Sequence, residues 1–325
     1  MHIPSLLPDE LLAGYVGRLG MLNAHANVWT TRELLRSRFD RPRQHQRKTS
    51  DAALVARACG LEAQHVARHH TMEPVEWLVV PSRDLLPHAA DRPRTNELRA
   101  ARLARIDVSS CDGCVSEDLE FWGVAYWRRS HQMPGIDWCP KHLCGLRCTA
   151  GRGVAGAPTR TDDMADCLSS RYALEPAVRR YASIYETFLD MKGPISTYQA
   201  AFRMRQAMER RGLRTSKMGH EPLLSDLLFE TFPFQWIFDH FDIVGSRPIG
   251  KFELEIDSIG RLGKRSGATF YALALAALED EVDDCVNEFL RPLTGEERSY
   301  WPLSCEGAPQ GDSATPAESR STFAG

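Results

Sequence analysis

The 325-residue chain has no apolar run long enough to cross a membrane. Its longest, Ala268 to Leu278, falls short of the roughly 20 residues a span needs, and it then meets Glu279, Asp280 and Glu281. The N-terminus, Met1-His2-Ile3-Pro4-Ser5, has neither a basic region nor an apolar core. It does not read as a signal peptide, so the expected location is the cytoplasm, with no membrane partner. Enzyme signatures are missing as well. There is no His-Glu-x-x-His, and no His-x-Glu precedes a Cys-x-x-Cys as zinc deaminases require. Gly260-Arg261-Leu262-Gly263-Lys264 has part of a phosphate loop, but Ser258 stands where the first Gly is needed and Arg265 where Ser or Thr is needed. Lone acids such as Asp118 and Glu230 read as surface or capping groups. The chain is therefore read as non-enzymatic, with no catalytic residue assigned.

What is present is a globular profile, 43% hydrophobic and 26% charged, which excludes a chain disordered throughout. Its length fits two or three domains of roughly 100–150 residues. The net charge of −3 hides a segregation. Thr30 to His70 holds nine Lys/Arg against four acids, and Lys192 to Lys217 holds seven against Glu209 alone. From Leu275 onward eleven acids face three arginines. Two basic blocks on an acidic whole suggest polyanion contact at two places. The candidate DNA-contacting residues are Arg36, Arg38, Arg41, Arg43, Arg47 and Lys48 in the first block. In the second they are Arg203, Arg205, Arg210, Arg211, Arg214 and Lys217. Solvated helix faces are the alternative for either block.

Periodicity is mostly helical, so the fold class is mainly α and multi-domain. Leu11, Tyr15, Leu19 and Leu22 recur at helical spacing, and Thr30-Thr31-Arg32-Glu33 has the form of a capping box. In Ser50 to Val66, two short helices around Gly60 place Ala56 and Val66 where a helix-turn-helix needs a small contact and a core aliphatic. An ordinary helical hairpin would look the same. Further helices are expected around Tyr181–Leu189, Tyr198–Arg211, Leu223–Phe229, Phe234–Phe241 and Thr269–Phe289, and one strand at Lys251–Ile256. The expected domains are 1–108, helical and helix-turn-helix-like; 109–150, metal-binding; 151–175, linker; and 176–303, helical and helix-turn-helix-like. Residues 304–325 form a tail too poor in apolar residues to fold.

There are nine cysteines, and five of them fall between positions 111 and 148. In a reducing compartment they do not read as a disulfide framework. Cys111-Asp-Gly-Cys114 and Cys139-Pro-Lys-His142 are two knuckles separated by 24 residues. Each tight turn can aim two ligands at one ion, so Cys111, Cys114, Cys139 and His142 form a Cys3His set for one structural zinc, finger- or ribbon-like. The first knuckle alone could be a redox pair, but the Cys-x-x-His partner favours metal. Cys144, Cys148 and His131 are the substitute ligands. Trp122, Tyr126, Trp127 and Trp138 lie around this set, as befits a segment too short for a full core of its own.

The string from Cys111 to Leu146 resembles the zinc-binding core of the TniQ family, which includes TnsD-type proteins. The shared pattern is Cys-x-x-Cys, Asp118, the run Tyr126-Trp127-Arg128 followed by His131-Gln132, Pro134-Gly135, and Cys139-Pro140 with His142. Leu7-Pro8-Asp9-Glu10 with Tyr15, Arg18 and Leu19 resembles the family's opening motif, and Tyr198 to about Phe241 resembles its C-terminal helical module. Two departures stand out. Asp112 follows the first Cys where Pro is common, and Leu143 follows His142 where Gly is common. The chain is also shorter than the long TnsD-type members. The resemblance implies a target-selection adaptor in DNA transposition. Its partners would be a AAA+ ATPase (TnsC/TniB-like), DNA, the transposase indirectly, and a DNA-bound or CRISPR effector targeting module, with a homodimer open. The motif residues Asp118, Tyr126, Trp127, Arg128, His131 and Gln132 read as structural. Arg128 and Arg129 could instead contact phosphate or a partner. The rival reading is a zinc-containing helix-turn-helix transcription regulator or a phage accessory protein.

Overall fold

The computed structural model describes residues 1–40, 49–81, 108–149, 156–158, 165–166, 170–215, 219–241, 248–262 and 266–299. It is mostly helical, with few and short strands. The chain divides at residue 291 into two compact units.

The first four helices are α1 (Leu12–Leu22), α2 (Val28–Phe39), α3 (Asp51–Cys59) and α4 (Ala63–His70). Tyr15, Val16 and Leu19 of α1 meet Leu35, Leu54, Val55, Ala56 and Val66 in one buried cluster. The α3–α4 pair has the two expected short helices around Gly60: Ala56 and Val66 are buried, and Gly60 caps α3 in the left-handed region. The capping box expected at Thr30 is corrected. Asn27 caps α2 by accepting from the Thr30 amide at 2.9 Å, and Thr31 is already buried inside the helix. An Asn caps as well as a Thr, and burial of Thr31 against Gly20 sets the earlier start.

After α5 (Glu73–Glu76), β1 (Val79–Val80) runs parallel to β5 (Ile195–Ser196), far along the chain. Between them lie β2 (Val108–Ser110), α6 (Asp112–Trp122), a 3-10 turn at Ser130–Gln132, and β3 (Arg147–Thr149), antiparallel to β2. β4 (Ala165–Asp166), inside the expected linker, pairs with β3. A 3-10 turn at Ser170–Leu174 leads into α7 (Pro176–Leu189), followed by α8 (Thr197–Arg210), α9 (Leu224–Thr231), α10 (Phe234–His240) and α11 (Leu254–Asp257). The chain of the first unit ends with α12 (Ala268–Leu278) and α13 (Val282–Leu290).

Two further expectations are corrected here. The helix read from Thr269 to Phe289 is two helices, broken at Glu279–Glu281 where three acids interrupt the apolar pattern. The strand read at Lys251–Ile256 is absent; α11 occupies its second half. Asp257 Oδ2 accepts from the Glu253 amide at 2.6 Å and from the Ser225 hydroxyl at 2.6 Å, so local side-chain bonds favour a turn over a ladder. In the second unit, α14 (Gly295–Ser299) is described; the tail 304–325 lies outside the described residues.

The main core joins α7–α10, α12 and α13 with Met72, Val75, Leu78 and Val79, and with Met133, Ile136 and Trp138 of the cysteine-rich segment. Pro134-Gly135 docks that segment. Tyr181 donates to Pro134 O at 2.8 Å, and Trp236 Nε1 donates to Gly135 O at 2.9 Å. Gly135 has φ +75°, and a Cβ there would meet Phe241 at 2.9 Å, so no other residue fits.

Residues 9–11 pair with 127–129. Leu11 N donates to Trp127 O and Arg129 N to Asp9 O, both at 2.8 Å. Beside this ladder, Arg18 donates to both Glu10 oxygens at 2.8 and 2.6 Å and to Ser5 O at 2.8 Å. Glu10 also accepts from the Leu7 amide, and both charges are buried. Removing one partner strands the other charge. Glu10→Ala is expected to lower stability by about 3–5 kcal/mol in urea denaturation. A loss under about 1 kcal/mol would mean that the pair behaves like a surface ion pair.

Candidate metal centre

Cys111 and Cys114 straddle the first turn of α6; Cys139 and His142 come from the turn that follows Trp138. Leu143 N donates to Cys139 O and Cys139 N to Cys144 O, both at 2.8 Å, which closes that turn. The donor atoms of Cys111, Cys114, Cys139 and His142 all lie within 4.8 Å of one another. His142 Nδ1 stands 3.3, 3.4 and 3.6 Å from the sulfurs of Cys111, Cys114 and Cys139, and the Cys114 and Cys139 sulfurs are 3.7 Å apart. A tetrahedral ion with metal–sulfur bonds near 2.3 Å and metal–nitrogen bonds near 2.0–2.1 Å spaces its sulfurs by about 3.8 Å and sulfur from nitrogen by about 3.6 Å. The residues therefore fit a four-coordinate ion.

The electrostatics agree. Hydrogen bonds from Cys114 and Cys139 hold the Cys111 thiol far below its ordinary value. The same bonds to Cys111 hold the protons of Cys114 and Cys139 above theirs. Three clustered sulfurs cannot all be thiolates unless a cation joins them. On the outer side, His142 Nε2 lies 3.1 Å from Glu117 Oε1, and Lys141 also bonds Glu117. Those contacts, the Lys141 bond first, hold the Glu117 carboxyl below the usual range. A carboxylate on the far nitrogen of a ligating imidazole fixes the ring and its tautomer. Gly113 packs under the same ring, where a Cβ would lie 3.0 Å from three of its atoms.

The substitute ligands are placed as follows. His131 is buried with Nε2 3.8 Å from Cys114 Sγ, and burial pushes its pKa down to about 4. It therefore sits beside the set as a neutral ring. Cys148 is disulfide-bonded, which removes it from the ligands and departs from the expectation of reduced cysteines. Cys144 is exposed, with its sulfur 3.4 Å from Cys111 Sγ.

The motif residues build the surroundings. Asp118 accepts from Arg128 at 2.5 Å; burial nonetheless raises its pKa, outweighing that neighbour. Arg128 lies over the Tyr126 ring at 4.9 Å. Trp127 is buried and donates to Gly156 O. Gln132 clamps β2, accepting from Ser109 N at 3.0 Å and donating to Ser109 O at 2.8 Å. Arg129 is buried. It reaches Asp9 Oδ1 at 3.2 Å, Arg68 O at 2.6 Å, Leu189 O at 3.4 Å and Asp190 Oδ1 at 3.3 Å. Arg129 thus has four partners within the fold, two of them carboxylates.

Residues 2–146 match the TniQ family model. A search for similar curated proteins found none. The TniQ match begins before the Leu7-Pro8-Asp9-Glu10 motif and ends four residues beyond His142, so it holds both halves of the 9–11/127–129 ladder and all four donors. It stops short of Tyr198–Phe241, whose expected likeness to a C-terminal TniQ module it does not cover.

The basic blocks fare differently. Arg41, Arg43, Arg47, Lys48 and Lys217 lie outside the described residues. Arg36 binds Asp51 at 3.0 Å, and Arg38 lies over Phe39. Arg203 is buried and tied to Glu288 at 2.9 Å. Arg205 pairs with Glu209 and Arg210 with Glu279, both at 2.7 Å. Arg211 donates to Leu278 O at 2.7 Å, and Arg214 to Gly219 O at 2.6 Å. Folding sets the second basic block against acids of the C-terminal run, which charge counting along the chain could not show.

Leu143 has φ +52° and is 69% exposed. A branched side chain in the left-handed region costs about 1–2 kcal/mol. Leu143→Gly is expected to raise stability by about 1 kcal/mol with metal content unchanged, read by thermal unfolding of the metal-loaded protein. A fall in melting temperature would show that Leu143 contributes packing that outweighs its strain.

Proposed function

We propose that the protein is a non-enzymatic adaptor for target-site selection in DNA transposition. It would connect a DNA-bound or guide-complex targeting module to a AAA+ ATPase that regulates the transposase. The observation that supports this reading is the TniQ match over residues 2–146, with the four-donor centre inside it. Three thiolates and an imidazole in a closed tetrahedral set suit zinc in a structural role, because soft sulfur ligands select it and no donor position is left open for water. The centre would hold α6 to the Cys139–His142 turn and so shape the surface on which partners dock. On this reading Cys111→Ser and Cys139→Ser each lose the ion in elemental analysis and lower the melting temperature, because binding and folding of the segment are coupled. Zinc content and melting temperature unchanged in both variants would sink the metal assignment.

DNA contact would be made through phosphates. Arg36 and Arg38 are the described candidates on α2, and Arg205, Arg210, Arg211 and Arg214 would have to exchange their present partners. Such contact weakens steeply between roughly 50 and 200 mM salt. The α3–Gly60–α4 pair favours the second reading, a zinc-containing helix-turn-helix regulator. One reconstitution separates the two. The metal-loaded protein is mixed with a AAA+ ATPase transposition regulator, and ATPase assembly on DNA and target-directed insertion are measured across that salt range. The adaptor reading expects assembly and site choice to depend on the protein. Salt-sensitive DNA binding with no effect on the ATPase would leave the regulator reading in its place.

A further inference from the structure

A further sulfur stands beside the four donors of the metal centre. Cys144 Sγ lies 3.4 Å from Cys111 Sγ, close to the separation of two thiolates that share one tetrahedral ion. It is outside the compact set, whose four donor atoms all lie within 4.8 Å of one another. We propose that Cys144 is a reserve donor that takes the place of His142 on the metal, converting the Cys3His set into four thiolates.

Three observations carry this. First, the backbone already holds Cys144 at the site. Its carbonyl accepts from the Cys139 amide at 2.8 Å, and the next residue, Gly145, bridges to Trp138. Cys139, His142 and Cys144 are thus displayed by one turn. Second, Cys144 is exposed, so the ordinary explanation of an unliganded cysteine, a small buried hydrophobe, does not apply. Third, the residue between the two competing donors is Leu143, held at φ +52°, and His142 is tied on its outer face to the half-buried Glu117. A strained link and a solvent-side tether let the imidazole leave while Cys144 stays.

In the exchange, the bond from His142 Nδ1 to the metal breaks and a bond from Cys144 Sγ forms. The thiol proton of Cys144 goes to solvent, and the set becomes one charge more negative. No oxidant is needed. The ligand class is a soft, tetrahedral divalent cation, for which a thiolate is at least as good a donor as an imidazole.

The proposal rests on the zinc reading above, and the test separates the two. Wild type, Cys144→Ser, His142→Ala and the double variant are purified with zinc, and metal per chain is measured by mass spectrometry, with circular dichroism for folding. A metal-free wild type would defeat the metal reading itself. Expected is one ion in wild type and in each single variant, and none in the double variant. With cobalt in place of zinc, the sulfur-to-cobalt charge-transfer band should strengthen in His142→Ala, as a fourth thiolate joins. Iodoacetamide should alkylate Cys144 in the zinc-loaded wild type and spare Cys111, Cys114 and Cys139; in His142→Ala, Cys144 becomes protected. Loss of the ion in His142→Ala overturns the proposal. So does loss in Cys144→Ser alone, which would make Cys144 an ordinary ligand, and so does an ion retained in the double variant. Should His142→Ala fail to fold, His142→Gln replaces it, and unfolding of both overturns the proposal, because a reserve donor predicts that the segment survives.

Discussion

The body of the protein depends on one buried cation. Arg129 is 6% exposed and binds the left-handed Asp9, the carbonyl of Arg68 near the end of α4, and the carbonyl of Leu189 with the carboxylate of Asp190 at the end of α7. Three stretches of chain that are remote in sequence thus converge on one planar donor. A guanidinium suits this task because its donors point in fixed, divergent directions and it stays charged when desolvated. Asp9 answers on the other side by accepting from the Ser130 amide and hydroxyl at 3.0 and 2.6 Å. Partial negative charge at the carbonyl ends of α4 and α7 adds to the attraction. The metal donors lie 10 to 18 residues on either side of Arg129 in the chain, so the geometry of the centre is anchored to the helices, not only to its own loops.

Legibility from sequence followed the range of the interactions. The four donors could be read because each knuckle is a local device, and only one long-range coincidence was needed. α1, α3, α4 and α8 could be read because their apolar spacing is local too, helped by the side-chain caps Ser50 for α3 and Ser196 for α8. The break at Glu279–Glu281 was obscured because the apolar half and the acidic half each have helical character, and only packing shows that two helices are formed. α11 was hidden because a short alternating stretch resembles a strand until Asp257 binds Ser225 and the Glu253 amide. The burial of Arg203 was not legible for a general reason: a formal charge says nothing of burial, and its partner Glu288 lies 85 positions away.

The aromatic stretch Phe232–Phe241 shows how one segment can answer two questions. Phe232, Trp236 and Phe241 enter the core, Trp236 stacking on Phe232 at 5.1 Å. Phe234 and Phe238, four apart on the same helix, stack at 6.1 Å and remain 59% and 50% exposed. A 3.6-residue period separates these sets physically, although composition alone makes them look alike. The same sorting explains why Gly135 tolerates no side chain: it faces the buried set.

The parallel pairing of Val79–Val80 with Ile195–Ser196 bears on how the chain is made. During synthesis at about 5–20 residues per second, the first helices can collapse on themselves, but β1 has no described partner strand until more than a hundred further residues have been added. The metal donors at 111–142 are complete well before that moment. The cysteine-rich segment can therefore be locked in shape while the ribosome is still producing the helices that will cover Met133, Ile136 and Trp138. Closing so wide a loop late in synthesis makes the final docking slow relative to local folding.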